Sequence, residues 1–294
     1  MNDEPAARMR LRLDIAYDGT DFHGWARQAA GDDGVAVRTV QQTIEEALQL
    51  VLRVPVVLTV AGRTDAGVHA SGQVAHVDVP RESLDQRSID GDPNRLVRRL
   101  AKLLPDDVSV RDVTEVTPDF DARFAALTRT YRYRVTTAPA GPVPTRARDT
   151  ATWAKPVDID RVQEAATLLL GLHDFAAFCK PKPHATTVRD LHEFTWRDVS
   201  TPQEPELFEA TLTADAFCWN HVRAMVAACL DVGEGRRDAE WIDGLLAATQ
   251  RDPQVRLAPA RGLTLIAVEY PPADQLAARA HVTRDRRSQD LSNS

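Results

Sequence analysis

Cysteine is scarce: the 294 residues hold three, Cys179, Cys218 and Cys229. So small and odd a set excludes a disulfide framework and fits a reducing compartment. Long apolar runs are lacking as well. The stretch Val222–Val232 is too short for a membrane span and carries charges. The opening residues, MNDEPAARMR, hold no apolar run of signal-peptide type, so a soluble, cytoplasmic protein is expected. There is no excess of positive charge. Lys and Arg number 36 against 43 Asp and Glu, a formal net charge of −7. Bulk charge alone argues against a nucleic-acid ligand, yet a phosphate responds to a local patch and not to the mean. Cys218 and Cys229 lack CxxC spacing and the eight histidines form no HxxxH pair, so neither zinc nor another metal is expected. No GxGxxG or GxxxxGK[ST] phosphate loop and no GxSxG nucleophile turn occurs. Cys179, in the apolar run DFAAFCK, reads as packed and not as a nucleophile.

What is present is an orderly alternation of elements. Hydrophobic residues make up 43% and charged residues 27%, enough for one large core or two ordinary ones. Leu11, Leu13, Ile15 and Tyr17 alternate as a half-buried strand that ends at Asp18-Gly19. Thr39 and Gln42 suggest a capping box before Ile44, Ala47, Leu48 and Val51 at helical spacing. Val56–Ala61 and Gln73–Val79 read as strands. Asp92-Pro93 opens a helix running to Leu104, and Val108–Val116 is a strand. The order is β-α-β-β-α-β, and it repeats. Tyr131–Thr137 is a strand, and Asp160 caps a helix through Val162, Ala166, Leu169 and Leu170. Thr187–Val199 and Leu207–Ala214 are strands, Asn220–Val232 and Glu240–Ala248 helices, and Leu263–Val268 a last strand. The expected fold is therefore α+β, with two ferredoxin-like halves of mostly antiparallel sheet. The halves span residues 10–117 and 118–271, between polar tails at 1–9 and 272–294 that are expected to be disordered.

Four segments combine residues capable of chemistry. Ala61–Gln73 (AGRTDAGVHASGQ) places Arg63, Asp65, His69 and Gln73 among three glycines after an apolar strand. Such a turn can present the Asp65 carboxylate to a cleft, or serve only as an Asx-turn. Arg129–Arg134 alternates so that Tyr131 and Tyr133 face one side of a strand and Arg132 and Arg134 the other. This suits cross-strand packing, or a tyrosine offered to a base while arginines hold phosphates. Arg223 lies inside an apolar helix, either as a partly exposed helix arginine or paired with an acidic group, since a buried charge is costly unless it meets a carboxylate. Arg95, Arg98, Arg99 and Lys102 share one helix face, either a solvated face or a phosphate track.

In order along the chain, Tyr17-Asp18-Gly19-Thr20, Gly24-Trp25-Ala26-Arg27-Gln28, Thr39-Val40-Gln41, Gly62–Ala70 (GRTDAGVHA), Phe120-Asp121-Ala122-Arg123-Phe124, Arg129–Tyr133, Asp174-Phe175, Asn220–Arg223 and Gly262-Leu263 resemble the motifs of the TruA family of tRNA pseudouridine synthases. The resemblance covers residues 10–271. It implies a homodimeric isomerase, free of cofactors, with two ferredoxin-like halves around a basic cleft. Its reaction would convert uridine to pseudouridine at positions 38, 39 and 40 of the tRNA anticodon stem-loop. By the same resemblance Asp65 is the catalytic carboxylate and nucleophile, and Arg63 extrudes the target base. Tyr131 stacks on the uracil and takes the C5 proton, and Arg223 pairs with Asp65. Arg132 and the Arg95, Arg98, Arg99 and Lys102 face would bind the substrate with Arg63 and Tyr131. Ala224, Ala228 and a longer segment at 29–38 depart from the usual pattern and bear on dimer packing or tRNA preference. Two other classes compete. A non-catalytic tRNA-binding or folding module would dispense with Asp65, Tyr131 or Arg223. A glycosidase would show a second carboxylate in the motif.

Overall fold

The computed structural model describes residues 7–28, 37–181 and 186–292, the last eight by backbone alone. The segment whose length departs from the family pattern, 29–38, falls mainly outside these residues. The chain divides into two units. One comprises the residues up to Ala126 together with Val268–Arg284, and the other Leu127–Ala267 together with the residues from Asp285 on.

In the first unit, β1 (Arg8–Tyr17) turns Met9, Leu11, Leu13, Ile15 and Tyr17 inward, as its alternation requires. It pairs antiparallel with β3 (His69–Pro80), Leu11 facing Val77, and with β4 (Val108–Val116), Leu13 facing Val113. β2 (Thr59–Val60) adds a short antiparallel pair to β3. α1 (Val40–Leu52) buries Val40, Ile44, Leu48 and Val51, and α2 (Arg95–Leu100) buries Leu96 and Leu100. Each such leucine contributes about 1.5–3 kcal/mol relative to an exposed one. The β-α-β-β-α-β order is the one expected.

Details differ for local reasons. Thr39 accepts from the Gln42 N–H at 3.4 Å, but the Gln42 amide donates to Glu46 at 2.8 Å, so only half of the capping box forms. β2 is shorter than 56–61: Val56, Leu58 and Val60 still alternate inward, but only Thr59 and Val60 pair with β3. α2 is shorter than 92–104: the chain continues through tight turns to Pro105, which cannot extend a helix.

The reading of 272–294 as a polar tail is overturned. α6 (Leu276–Ser292) buries Leu276 and Ala280 in a cluster with Ala61, Val74, Phe120, Ala122 and Ala125. Two apolar residues one turn apart suffice to dock a helix that otherwise reads as solvated. The Tyr270 hydroxyl donates to the Ala122 carbonyl at 2.7 Å, and Arg284 pairs with Asp121 at 2.6 Å. Residues 118–126 therefore belong with the first unit, not with the second as the boundary at 117 implied. The N-terminal tail is also shorter than expected, since β1 begins at Arg8 and Met9 is buried.

In the second unit, β5 (Thr128–Thr136) pairs antiparallel with β9 (Leu207–Ala214), Tyr131 facing Leu212. β8 (Val188–Asp198) follows on β9, with Phe194 facing Leu212, and β7 (Gly171–Asp174) follows on β8. β10 (Leu263–Glu269) lies beside β5, and β6 (Ala151–Thr152) makes a short parallel pair with it. Three helices complete the unit: α3 (Ile159–Leu168), α4 (His221–Gly233) and α5 (Ala239–Leu246). Asp158, not Asp160, caps α3, accepting from the N–H groups of Asp160 and Arg161. β6 and β7 were not foreseen; both are too short to show a period.

The expectation of unpaired cysteines is also overturned. Cys179 and Cys218 are joined as a disulfide across 39 positions of sequence, because strand pairing brings the ends of β7 and β9 together. Cys229 alone is free, and buried. Among the described residues no helix is long and apolar enough to cross a membrane.

Candidate active site

The loop between β2 and β3 is held from both sides. Ala61 N–H donates to the Val74 carbonyl at 2.9 Å, and the Gln73 side-chain amide donates to the Gly62 carbonyl at 2.8 Å. Thr64 is buried, with its hydroxyl 2.8 Å from that of Tyr17, and its carbonyl accepts from Trp25 N–H at 3.0 Å. The Gly67 N–H donates to the Phe22 carbonyl at 3.3 Å, and the Val68 N–H to the Asp65 carbonyl at 3.2 Å. The loop closes against two glycines for steric reasons. A Cβ on Gly19 would stand 2.0 Å from the Val68 oxygen. One on Gly24, whose φ is +88°, would stand 2.8 Å from the Thr64 oxygen.

Pinning of this kind decides what each loop residue presents. Thr64 points into the protein, Asp65 is half-buried, and Arg63 is exposed. The Asx-turn alternative assigns the loop's order to the Asp65 side chain. Tyr17, Trp25, Phe22 and Gln73 contribute to that order here. Tyr17 lies at the bottom of the network, and burial pushes its phenol up to about 12. It is therefore a neutral donor throughout the working range of pH. The Gly19 N–H donates to His69 Nδ1 at 3.0 Å, so the motif histidine holds the loop beside Asp65 in place.

A residue not assigned from the sequence joins this group. Arg123 has a lowered pKa, through partial desolvation and then through the nearby charge of Arg63. Two guanidinium groups close enough to repel one another form a local cationic spot in a net acidic protein, suited to a phosphate. The turn bearing Arg123 is fixed by Asp121, which accepts from the Arg123 and Phe124 N–H groups at 2.9 Å each. The Asp-x-Arg spacing of the 120–124 motif carried that signal, but nothing local tied it to Arg63.

The other site candidates lie in the second unit. Tyr131 is buried on β5, its ring edge-on to Phe217 with centroids 5.2 Å apart. Tyr133 is wholly buried and donates to the Pro259 carbonyl at 3.0 Å, so it is structural. Arg132 stands 3.7 Å from Glu209, and strand alternation places it on the face opposite Tyr131. It therefore does not share a ligand surface with that ring. Arg223 is the one residue of α4 not counted as buried; its Nε donates to the Ala258 carbonyl at 2.7 Å. Ala224 and Ala228 are fully covered by this chain itself. Their small size thus answers to packing inside the protomer and not to a dimer contact. On α2, Arg95 is engaged by Asp90 at 3.0 Å and Asp92 at 3.7 Å, while Arg98 and Arg99 are exposed; Lys102, also exposed, lies in the turn after α2 and not on its face. The argument from spacing against a metal centre looked only along the sequence. The fold gathers Cys179, Cys218 and His221, with ligand atoms within 4.8 Å of one another.

Comparison with known proteins places these features in context. Residues 165–271 match the family model described as tRNA pseudouridine synthase. The chain is 60% identical over 276 residues to a tRNA pseudouridine synthase A of Corynebacterium glutamicum, covering 94% of each chain. It is 49% identical over 286 residues to the protein of that name from Mycobacterium leprae, covering 95% of this chain and 96% of the other. It is 50% identical over 278 residues to that of Frankia casuarinae, covering 94% of each. With a pinned, half-buried aspartate in the GRTDAGVHA loop and identity at this level over nearly its whole length, the chain belongs to the tRNA pseudouridine synthase A family.

Proposed function

We propose that this protein isomerises uridine to pseudouridine in tRNA, at positions 38–40 of the anticodon stem-loop, with Asp65 as the catalytic carboxylate. One observation carries the reading: the Asp65 loop is fixed by its neighbours' hydrogen bonds, while Asp65 itself is half-buried two positions after the exposed Arg63. The reaction breaks the N1–C1′ bond, turns the uracil and joins C5 to C1′. It is redox-neutral and adds no atoms. A carboxylate can attack C1′, attack C6, or promote a glycal, and each route needs an ionised Asp65. The target base must first leave its stack. Arg63, exposed two positions before Asp65, takes the vacated place. Arg123 holds a phosphate next to it. Tyr131 stacks on the uracil and takes the C5 proton, and Arg223 is the counter-charge that keeps Asp65 ionised. Arg98, Arg99 and Lys102 hold the backbone phosphates farther along the tRNA. The enzyme works in the cytoplasm as a homodimer.

The test is Asp65→Asn, which keeps size and removes charge. The variant is expected to fold, to bind tRNA within about threefold of wild type, and to release no tritium from C5-labelled uridine. Activity within about tenfold of wild type would assign the chemistry to another residue. A wild-type protein that binds tRNA but yields no pseudouridine would make it a binding module. Light scattering of the active protein is expected to give a dimer's mass; a monomer's mass with full activity would remove that part of the reading.

A further inference from the structure

We propose that Cys179 and Cys218 are a reversible thiol–disulfide site, open to small disulfides in solution, whose state sets the packing of Phe217 on Tyr131. The second half rests on the role given to Tyr131 above; the first does not.

The two cysteines lie on separate turns, 39 positions apart, with Cα atoms 5.7 Å apart, inside the range a disulfide tolerates. The Cys179 turn is closed by its own N–H to the Phe175 carbonyl, 3.2 Å, and the Cys218 turn by His221 N–H to the Cys218 carbonyl, 3.2 Å. A second link joins the turns without the sulfurs. Lys180 N–H donates to the Trp219 carbonyl at 2.9 Å, and the Lys180 ammonium sits 3.9 Å from the Trp219 ring centroid. Reduction therefore leaves the thiols facing each other, ready to close again. Cys179 is buried, whereas Cys218 is partly exposed beside the exposed Trp219, so an outside reagent meets Cys218 first.

His221 lies within 4.8 Å of both sulfurs. It is wholly buried, its ring packed against Phe175, Phe217 and Phe178, and neither ring nitrogen has a hydrogen-bond partner among the described residues. An unpaired buried imidazole is costly. In the disulfide state no S–H is available to it; in the dithiol state a thiol proton can be donated to its basic nitrogen. The imidazole thus favours the reduced pair and opposes permanent closure. Cys229, wholly buried with its thiol pKa pushed up by burial, serves as the inert control.

The exchange balances. The Cys218 thiolate attacks an external disulfide RSSR, breaking its S–S bond and releasing RS⁻. The Cys179 thiolate then attacks the Cys218 sulfur of the mixed disulfide and releases the second RS⁻. Two cysteine thiols are oxidised, one external disulfide is reduced, and the two cysteine protons end on the two released thiolates. Excess thiol runs the sequence backward. Phe217 adjoins Cys218 and meets Tyr131 edge-on, so the bond is felt one residue from the proposed base-stacking ring.

The experiment uses the full chain, reduced, desalted with a chelator present, and equilibrated with glutathione and glutathione disulfide at several ratios. Thiols are quenched, alkylated and counted by mass. The expected count falls from three to one, with the peptides bearing Cys179 and Cys218 linked, Cys229 alkylated, and full recovery in excess thiol. Cys179→Ser is expected to retain a glutathione adduct on Cys218. The kcat for uridine isomerisation is expected to differ between the two wild-type forms by about threefold or more, with Cys179→Ser and Cys218→Ser each insensitive to the couple. Three alkylatable thiols at every ratio would overturn the site. So would one equivalent of zinc bound by the chelator-free reduced protein with both thiols protected, which would make the cluster a metal centre. Equal kcat in the two forms would overturn the link to Tyr131. Thiols that close as described in a protein making no pseudouridine in either form would refute the activity and support the pair.

Discussion

Tyr17→Phe isolates the hydrogen-bond network beneath Asp65. The substitution keeps the buried ring and removes one oxygen, which lies 2.8 Å from the Thr64 hydroxyl and accepts from the Gln73 amide at 3.3 Å. The Gln73 amide retains the Gly62 carbonyl at 2.8 Å, so its loss is partial. The Thr64 hydroxyl, buried, loses its close partner. One net hydrogen bond is worth about 1 kcal/mol, and stranding a buried hydroxyl adds about 1 more, giving about 2 kcal/mol in all. For a protein of this size that lowers the melting temperature by roughly 4–8 °C. Catalysis should suffer more than stability. Thr64 adjoins Asp65, and a displacement of about 1 Å at a reacting group costs up to about a hundredfold in rate. The expected result is kcat reduced by about 10–100-fold with KM little changed, read by tritium release beside a urea titration. Because burial holds the phenol near 12, the deficit should be the same at neutral and at mildly alkaline pH. A variant matching wild type in both melting and kcat would show that the loop is positioned by other contacts, and the account of Asp65 presentation would fail.

Other perturbations address separate parts of the molecule. Gly19→Ala puts a methyl group 2.0 Å from the Val68 oxygen, so the turn must open; expression with a melting point several degrees lower and at least about tenfold lower kcat is expected, by the same assays. Asp78 has its carboxyl pKa lowered by Arg10. At Asp121 burial opposes ionisation, but the Phe124 and Arg123 N–H groups and Arg284 outweigh it, so its pKa is lowered as well. Both folded values lie below the unfolded 3.8, so their stabilisation is complete above that pH and is lost as pH falls through the folded values; urea midpoints measured on acidification should drop, and less steeply in Asp78→Asn and Asp121→Asn. Arg98→Glu with Arg99→Glu should weaken tRNA binding without shifting the melting point and should flatten the dependence of affinity on salt, measured by filter binding.

Much of the fold was legible where the periodicity was long. β1, β4 and β9 appear close to their expected bounds because alternation over eight or more residues leaves one solution for which side is buried. The misses share a cause. α6 docks by Leu276 and Ala280 alone, and β7 has four residues, so neither carries a pattern within its own length. At the site, Asp65 and Arg63 were legible because glycines, a preceding strand and charged residues coincide in one stretch. Arg123 was not, since its meaning comes from Arg63, 60 positions earlier, and only folding supplies that. The cysteine pair was hidden the same way, behind the pairing of β7, β8 and β9.

The first unit is sewn shut by the far end of the chain. Ala61, at the root of the Asp65 loop, and Phe120 are covered by Leu276 and Ala280, residues made only after the whole of Leu127–Ala267. A ribosome that has delivered the first 126 residues has delivered every strand and helix of the β-α-β-β-α-β set but not its cover. The run Leu127–Ala267, most of the second unit, leaves the ribosome before that cover does. The Asp65 loop therefore gains this support only once Leu276 and Ala280 have been made. A nonsense codon between Val268 and Leu276 would release a chain that holds Leu127–Ala267 but lacks the residues that cover Ala61, leaving the back of the Asp65 loop exposed.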